Sequence, residues 1–182
     1  MKQADLPTDS AFLKKDDTDH RKWFVVYTRP RSEKKVLADL THQGIETYVP
    51  LQKVLHQWKD RKKMVEVPLI NSYVFVKLDP LRRDGVFQSV HVIRFVMFNG
   101  KPAVVPEKQM EALKCLVEAK VPLEATIEHF KPGDAVKVIF GPMTGIVGEF
   151  IEIGREKHFL LRISNIGYSL TAKIPAAWVE KV

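Results

Sequence analysis

The chain has 182 residues, 45% of them hydrophobic, and a formal net charge of +7. It is long enough for one or two domains with a buried core, and no apolar run approaches the roughly 18 residues needed to span a bilayer. A single cysteine, Cys115, excludes an internal disulfide and any thiolate zinc cage.

The first twenty residues, MKQADLPTDSAFLKKDDTDH, hold no apolar h-region. They read as a polar, disordered tail rather than a signal peptide, and the chain as cytoplasmic. Charge is unevenly spread. Residues 21–117 carry 18 Lys/Arg against 9 Asp/Glu, whereas residues 129–182 carry 7 against 5. A positive field confined to the first unit is expected where that unit meets a polyanion. A basic surface kept for solubility is the alternative.

In chain order, WFVVYT over 23–28 is β-branched and aromatic and predicts a central strand. Arg29-Pro30-Arg31 breaks it. Ser32 predicts a helix N-cap, with Glu33 in the first turn. Val36, Leu37 and Leu40 share one helical face, and Gly44 sits where a C-cap glycine belongs. A short strand is expected over 45–50. A hairpin follows over 53–68, with a tip of four basic residues and one acid at 59–63. NSYVFVKL over 71–78 predicts a strand with Tyr73 and Phe75 on one face and Val74 and Val76 on the other. Asp79-Pro80 opens a short helix, 94–98 is a strand, and Asn99-Gly100 a turn. Pro106 opens a helix in which Met110, Leu113 and Val117 recur at apolar spacing. Residues 118–128 show no clear period and predict a linker.

Phe130 to Ile153, FKPGDAVKVIFGPMTGIVGEFIEI, holds more Gly and Pro than a helix tolerates. It predicts a tight hairpin with glycines where backbone passes close to backbone. Strands at 158–164, 171–175 and 178–179 complete a small five-stranded barrel, since an open sheet would leave exposed edges.

Gly133, Val136, Val138, Gly141, Pro142, Gly145 and Gly148 stand at the spacing of the KOW motif, which this stretch resembles. With WFVVYT, the helix after it and NSYVFVKL in the same order, residues 21–182 resemble the NusG family of bacterial transcription elongation factors. LDP at 78–80, RFVMFNG at 94–100 and PAVVP at 102–106 liken the chain to the specialised RfaH type within it.

The resemblance implies an α+β protein. An N-terminal antiparallel sheet with packed helices (21–117) is joined by a linker (118–128) to a KOW β-barrel (129–182). It implies a monomer without cofactor or metal that binds RNA polymerase, suppresses pausing and termination, and acts at specific operons. The polymerase pocket, which grips the clamp helices of the largest catalytic subunit, corresponds to Tyr27, Pro50, Tyr73 and Phe75. Arg29, Arg31 and Lys35 match the residues that meet exposed non-template DNA. Asn71-Ser72 replaces the family's frequent Pro-Gly before the tyrosine. Ile166 and Tyr168 occupy the barrel loop that meets a ribosomal protein or Rho, with Ile166 where the housekeeping members carry an aromatic.

Other readings follow from the residues alone. Tyr27, Tyr73 and Phe75 could be core aromatics, which exposure would reverse. No Lys-Ser/Thr follows Gly141, Gly145 and Gly148, so a phosphate loop is disfavoured. The six histidines show no pair at metal spacing, and no constellation argues for an enzyme. A KOW protein that binds RNA or the ribosome is the alternative function, although its barrel should then be strongly basic.

Overall fold

The computed structural model describes residues 20–57, 62–127 and 132–182. The expected tail, apart from His20, and residues 59–61 of the hairpin tip lie outside the described residues.

The N-terminal unit runs β1 (Lys22–Thr28), α1 (Glu33–His42), β2 (Glu46–Tyr48), β3 (Leu51–Gln57), β4 (Lys62–Pro68) and β5 (Tyr73–Leu78). A 3-10 turn (Arg83–Gln88) follows, then β6 (Val92–Phe95), β7 (Met97–Phe98), β8 (Lys101–Pro102), β9 (Val104–Val105) and α2 (Glu107–Glu118). The C-terminal unit holds β10 (Leu123–Thr126), β11 (Asp134–Val138), β12 (Val147–Ile153), β13 (Glu156–Ile163), β14 (Tyr168–Ala172) and β15 (Val179–Lys181). No helix among the described residues is long and apolar enough to cross a membrane.

β1 is the centre of the first sheet. It pairs antiparallel with β5 on one edge, and with β6 and β9 on the other, while β2 pairs with β5. Alternation then fixes two faces. Phe24, Val26, Val74 and Val76 bury one face against Val36 and Leu40 of α1. Trp23, Val25 and Phe75 bury the other against Met110, Leu113 and Leu116 of α2. The buried row of α2 thus runs through Leu116, with Val117 only half-buried.

Helix α1 ends as the sequence predicts. Gly44 has φ +76, its N–H donates to Thr41 O at 3.0 Å, and Ile45 N–H reaches Leu40 O at 2.9 Å. This paired geometry closes a helix whose C′ residue is left-handed. Its start differs. Ser32 makes no side-chain cap bond, and buried Glu33 instead accepts the Ser72 N–H at 2.6 Å.

The second unit is a six-stranded antiparallel sheet in the order β10-β14-β13-β12-β11-β15. The expected barrel had five strands; the sixth, β10, comes from the stretch expected as a linker. Leu123 pairs with Ala172 and Thr126 with Ser169. Gly148 sits where β12 crosses β13, and a Cβ there would come within 2.6 Å of Leu160 O, so the KOW glycine is required by close backbone approach.

Phe75 corrects an expectation. It shares a face with Tyr73, but it is wholly buried between Tyr48 and the α2 core. It therefore cannot line an open pocket. Phe75→Ala should cost about 3–5 kcal/mol by removing a packed ring and leaving a cavity. Denaturant unfolding would measure this, and a loss below ~1 kcal/mol would mean that the ring is not a core element.

Candidate functional site

The α2 side of the first sheet is longer than α2 can cover. Beyond Phe75, the face continues as Tyr27 of β1 and Tyr73 of β5, which are direct cross-strand partners. Both are half-buried. Their rings meet edge-on, with centroids 5.7 Å apart and planes at 87°, the T-shaped arrangement that aromatic quadrupoles favour. The Arg94 guanidinium on β6 lies 5.3 Å from the Tyr27 ring centroid, a cation–π distance. Arg94 was not singled out from the sequence. It stands opposite Tyr27 in the β1–β6 pairing, next to the bulge between Tyr27 and Thr28.

The turn before Tyr73 is built by unexpected means. Ser72 occupies the left-handed region at φ 63, where a glycine would be unstrained. The Glu33 carboxylate holds its N–H, and its carbonyl accepts the Thr28 N–H at 2.8 Å. Thus Asn71-Ser72 makes the turn without Pro-Gly, at the cost of burying an acid. Glu33 read as a first-turn charge because its partner lies 39 residues away.

The expected nucleic-acid residues fall beside this turn. Arg29, Arg31 and Lys35 are all exposed, and Arg31 is left-handed at φ 60. The Arg29 N–H is anchored to His91 O at 3.0 Å. Lys34 pairs with Glu66 of β4 at 3.7 Å, half-exposed on both sides, which contributes little to stability. Pro50 is buried, and its carbonyl accepts the Leu69 N–H at 2.8 Å. Of the four pocket candidates, Tyr27 and Tyr73 are half-buried and offer ring surface, whereas Pro50 and Phe75 are buried.

The C-terminal unit lies against this aromatic end. Tyr168 of β14 packs edge-on against Tyr73, with centroids 5.2 Å apart and planes at 68°. Asn165 Nδ2 donates to Val104 O, and Gln109 Nε2 donates to Arg162 O at 3.4 Å. Cys115 of α2 reaches Pro142 O at 3.7 Å. Ile166 is buried. The two residues expected to meet a C-terminal partner are therefore engaged within the chain. One hydrophobic cluster joins the units, running from Trp23 and Phe75 through α2 to Phe159 and Ile163.

Burial governs the tyrosine titrations. Tyr48 is pushed up to about 12, first by burial and then by the Glu118 charge. Tyr73 is raised by burial and then by Tyr168, and Tyr168 by burial and then by Tyr27. Burial, then Glu118, also raises the Cys115 thiol. On the C-terminal sheet, Arg162 holds Glu149 through paired hydrogen bonds of 2.8 and 2.9 Å. Those bonds, with a weaker one from the Gly133 N–H, hold the Glu149 carboxyl below its usual value despite partial burial.

Together these features define a two-unit α+β protein with an aromatic sheet end beside a basic junction. Comparison with known proteins makes the class specific. The family described as "NusG: Transcription termination factor nusG" matches residues 21–114. The chain belongs to the NusG family of transcription termination and antitermination factors. A relative from Pseudomonas aeruginosa, "Transcription termination/antitermination protein NusG", is 27% identical over 177 residues, 89% of this chain and 99% of its own. A solved structure described as "Domain interaction in Thermotoga maritima NusG" aligns at TM-score 0.48 and 24% identity, over 89% of this chain and 97% of its own. One described as "MjSpt4:Spt5 complex conformation A" aligns at TM-score 0.29 and 18% identity, over 88% and 97%.

The Glu149 pair gives a pH prediction. A carboxylate held below its unfolded value contributes stability above the unfolded pKa, which is lost as pH falls through the native value. Glu149→Gln should therefore lower stability at neutral pH and flatten its decline in acid, as read by denaturant unfolding across a pH series. An unchanged acid limb would mean that the pair is not a stabilising bridge.

Proposed function

We propose that this protein rides on RNA polymerase as an elongation and antitermination factor of the RfaH type, acting in the cytoplasm at specific operons. The observation that carries the reading is the unfinished sheet face: two tyrosines packed edge-on continue a core surface past the end of its covering helix. Grouped aromatic surface of this kind fits a protein partner, and the partner of this reading is the clamp helices of the largest polymerase subunit. Tyr27 and Tyr73 make the contact, while Phe75 and Pro50 form its rigid backing.

Arg29, Arg31 and Lys35 stand exposed beside the same sheet end and meet phosphates of the non-template strand. The excess of 18 basic over 9 acidic residues in 21–117 supports that assignment, while 7 over 5 in 129–182 disfavours an RNA- or ribosome-binding sheet as the working part. For the C-terminal unit the reading keeps a ribosomal protein or Rho as partner, although the expected contact residues Ile166 and Tyr168 are engaged within the chain.

Two measurements test this. Tyr27→Ala should weaken binding to polymerase elongation complexes roughly 30-fold, as losing a central interface aromatic costs about 2 kcal/mol. Wild-type affinity in a folded variant removes the contact assignment. The triple variant Arg29→Ala, Arg31→Ala, Lys35→Ala should weaken recruitment to a paused complex. It should also flatten the salt dependence by about one unit of slope per lost phosphate contact. An unchanged slope removes the DNA contact.

A further inference from the structure

Away from the tyrosines, a cleft of about 660 Å³ runs between the β3–β4 hairpin and the stretch from the end of α2 to β10. Leu51, Val54, Met64, Val117, Val121 and Leu123 give it an apolar lining. Two strand edges border it. Among the described residues, β3 pairs with β4 alone, and β10 ends its sheet on β14. The Leu69 N–H donates to Pro50 O at 2.8 Å, so by antiparallel alternation Gln52 and Val54 face β4, while the N–H and C=O groups of Leu51 and Lys53 point outward. Pro68, which has no N–H, stands opposite Leu51, where none is needed.

Two unpaired edges on an apolar floor suit an extended chain, whose backbone groups alternate outward, rather than a helix, whose groups are bonded internally. We infer that this groove is a strand-acceptor site, and that its occupant is the chain's own segment Ala11–Lys15, which lies outside the described residues. Seated there, the segment bonds a strand of each unit at once.

Three observations select this occupant. Ala11-Phe12-Leu13 is the only run of three apolar residues among the first twenty. Lys14-Lys15 and Asp16-Asp17 follow it, and the groove carries two charges of each sign, Lys53 and Lys120 with Glu66 and Glu124. The third is reach. Arg21 lies 4.0 Å from the Glu46 carboxylate, which Lys114 of α2 approaches to 3.9 Å. The chain therefore enters on the α2 side, at the first residue of β2. From Glu46 to Leu51 is at most about 17 Å of extended chain, whereas Leu13 to Arg21 can span about 27 Å. So short a tether holds the segment at roughly millimolar effective concentration, and an intrinsic dissociation constant of about 0.1 mM would fill the groove about ten to one.

The test is amide hydrogen exchange, resolved by residue, on the full-length chain. The double variant Phe12→Asp, Leu13→Asp removes the apolar anchors at positions outside both hydrophobic cores. The Leu51 and Lys53 amides should exchange about tenfold faster in the variant, while Gln52 and Val54, bonded to β4, keep their wild-type rates. Unchanged exchange at Leu51 and Lys53 overturns the inference. Equal acceleration at all four amides means that the hairpin itself has loosened, and overturns it too. Wild-type protection that rises with protein concentration places a second copy's segment in the groove and overturns the intramolecular assignment.

Discussion

The α2 side of the first sheet has more apolar length than α2 can cover, and the rest of the molecule follows from that mismatch. A twelve-residue helix is about 18 Å long at 1.5 Å per residue, whereas a seven-residue strand extends about 23 Å. Helix α2 covers Trp23, Val25 and Phe75 and stops short of Tyr27 and Tyr73. Something else must cover the remaining surface, and in this form the C-terminal sheet does so. The same rings are then the core edge, the surface on which Tyr168 packs and the proposed partner contact.

That shared use explains why the two ends of one face carry different residues. Where burial is permanent, the side chains are Val25 and Phe75, without a polar atom to satisfy. Trp23 is the exception; its Nε1 is buried without a hydrogen-bond partner among the described residues, while Lys114 lies 4.6 Å from its ring centroid. Where burial is partial, the side chains are tyrosines. Helix α2 itself serves two surfaces. Met110, Leu113 and Leu116 meet the first sheet, and Gln109, Ala112 and Cys115, spaced by three, lie toward the second.

Much of this was legible in the sequence because it rests on local rules. Period-two alternation gave β1 and β5 with their faces, Gly44 marked the end of α1, and the KOW glycines marked the β11–β12 turn. What the sequence could not supply were pairings set by distant residues. Alternation says that Tyr73 and Phe75 point the same way, but not how deep each lies; α2, some thirty residues on, decides that. LEAT at 123–126 has too few apolar residues to read as a strand, yet β14 offers an edge and Leu123 a place in the core. Ser72 in a left-handed turn is foreign to turn statistics until Glu33 is seen bonded to it.

The Glu33–Ser72 bond also bears on how the site keeps its shape. The turn before Tyr73 does not depend on the C-terminal unit. It is tied to β1 by the Thr28–Ser72 bond and to the first turn of α1 by a carboxylate that is itself buried. A charged acceptor makes a stronger hydrogen bond than a neutral one, and its burial keeps competing water away. Tyr73 is therefore presented from β1, its sheet neighbour, and from α1, the helix on the opposite face from α2. The basic junction at Arg29 and Arg31 hangs from the same bonds. The aromatic pair and the basic junction are thus held in one register by a brace built without α2 or the C-terminal unit.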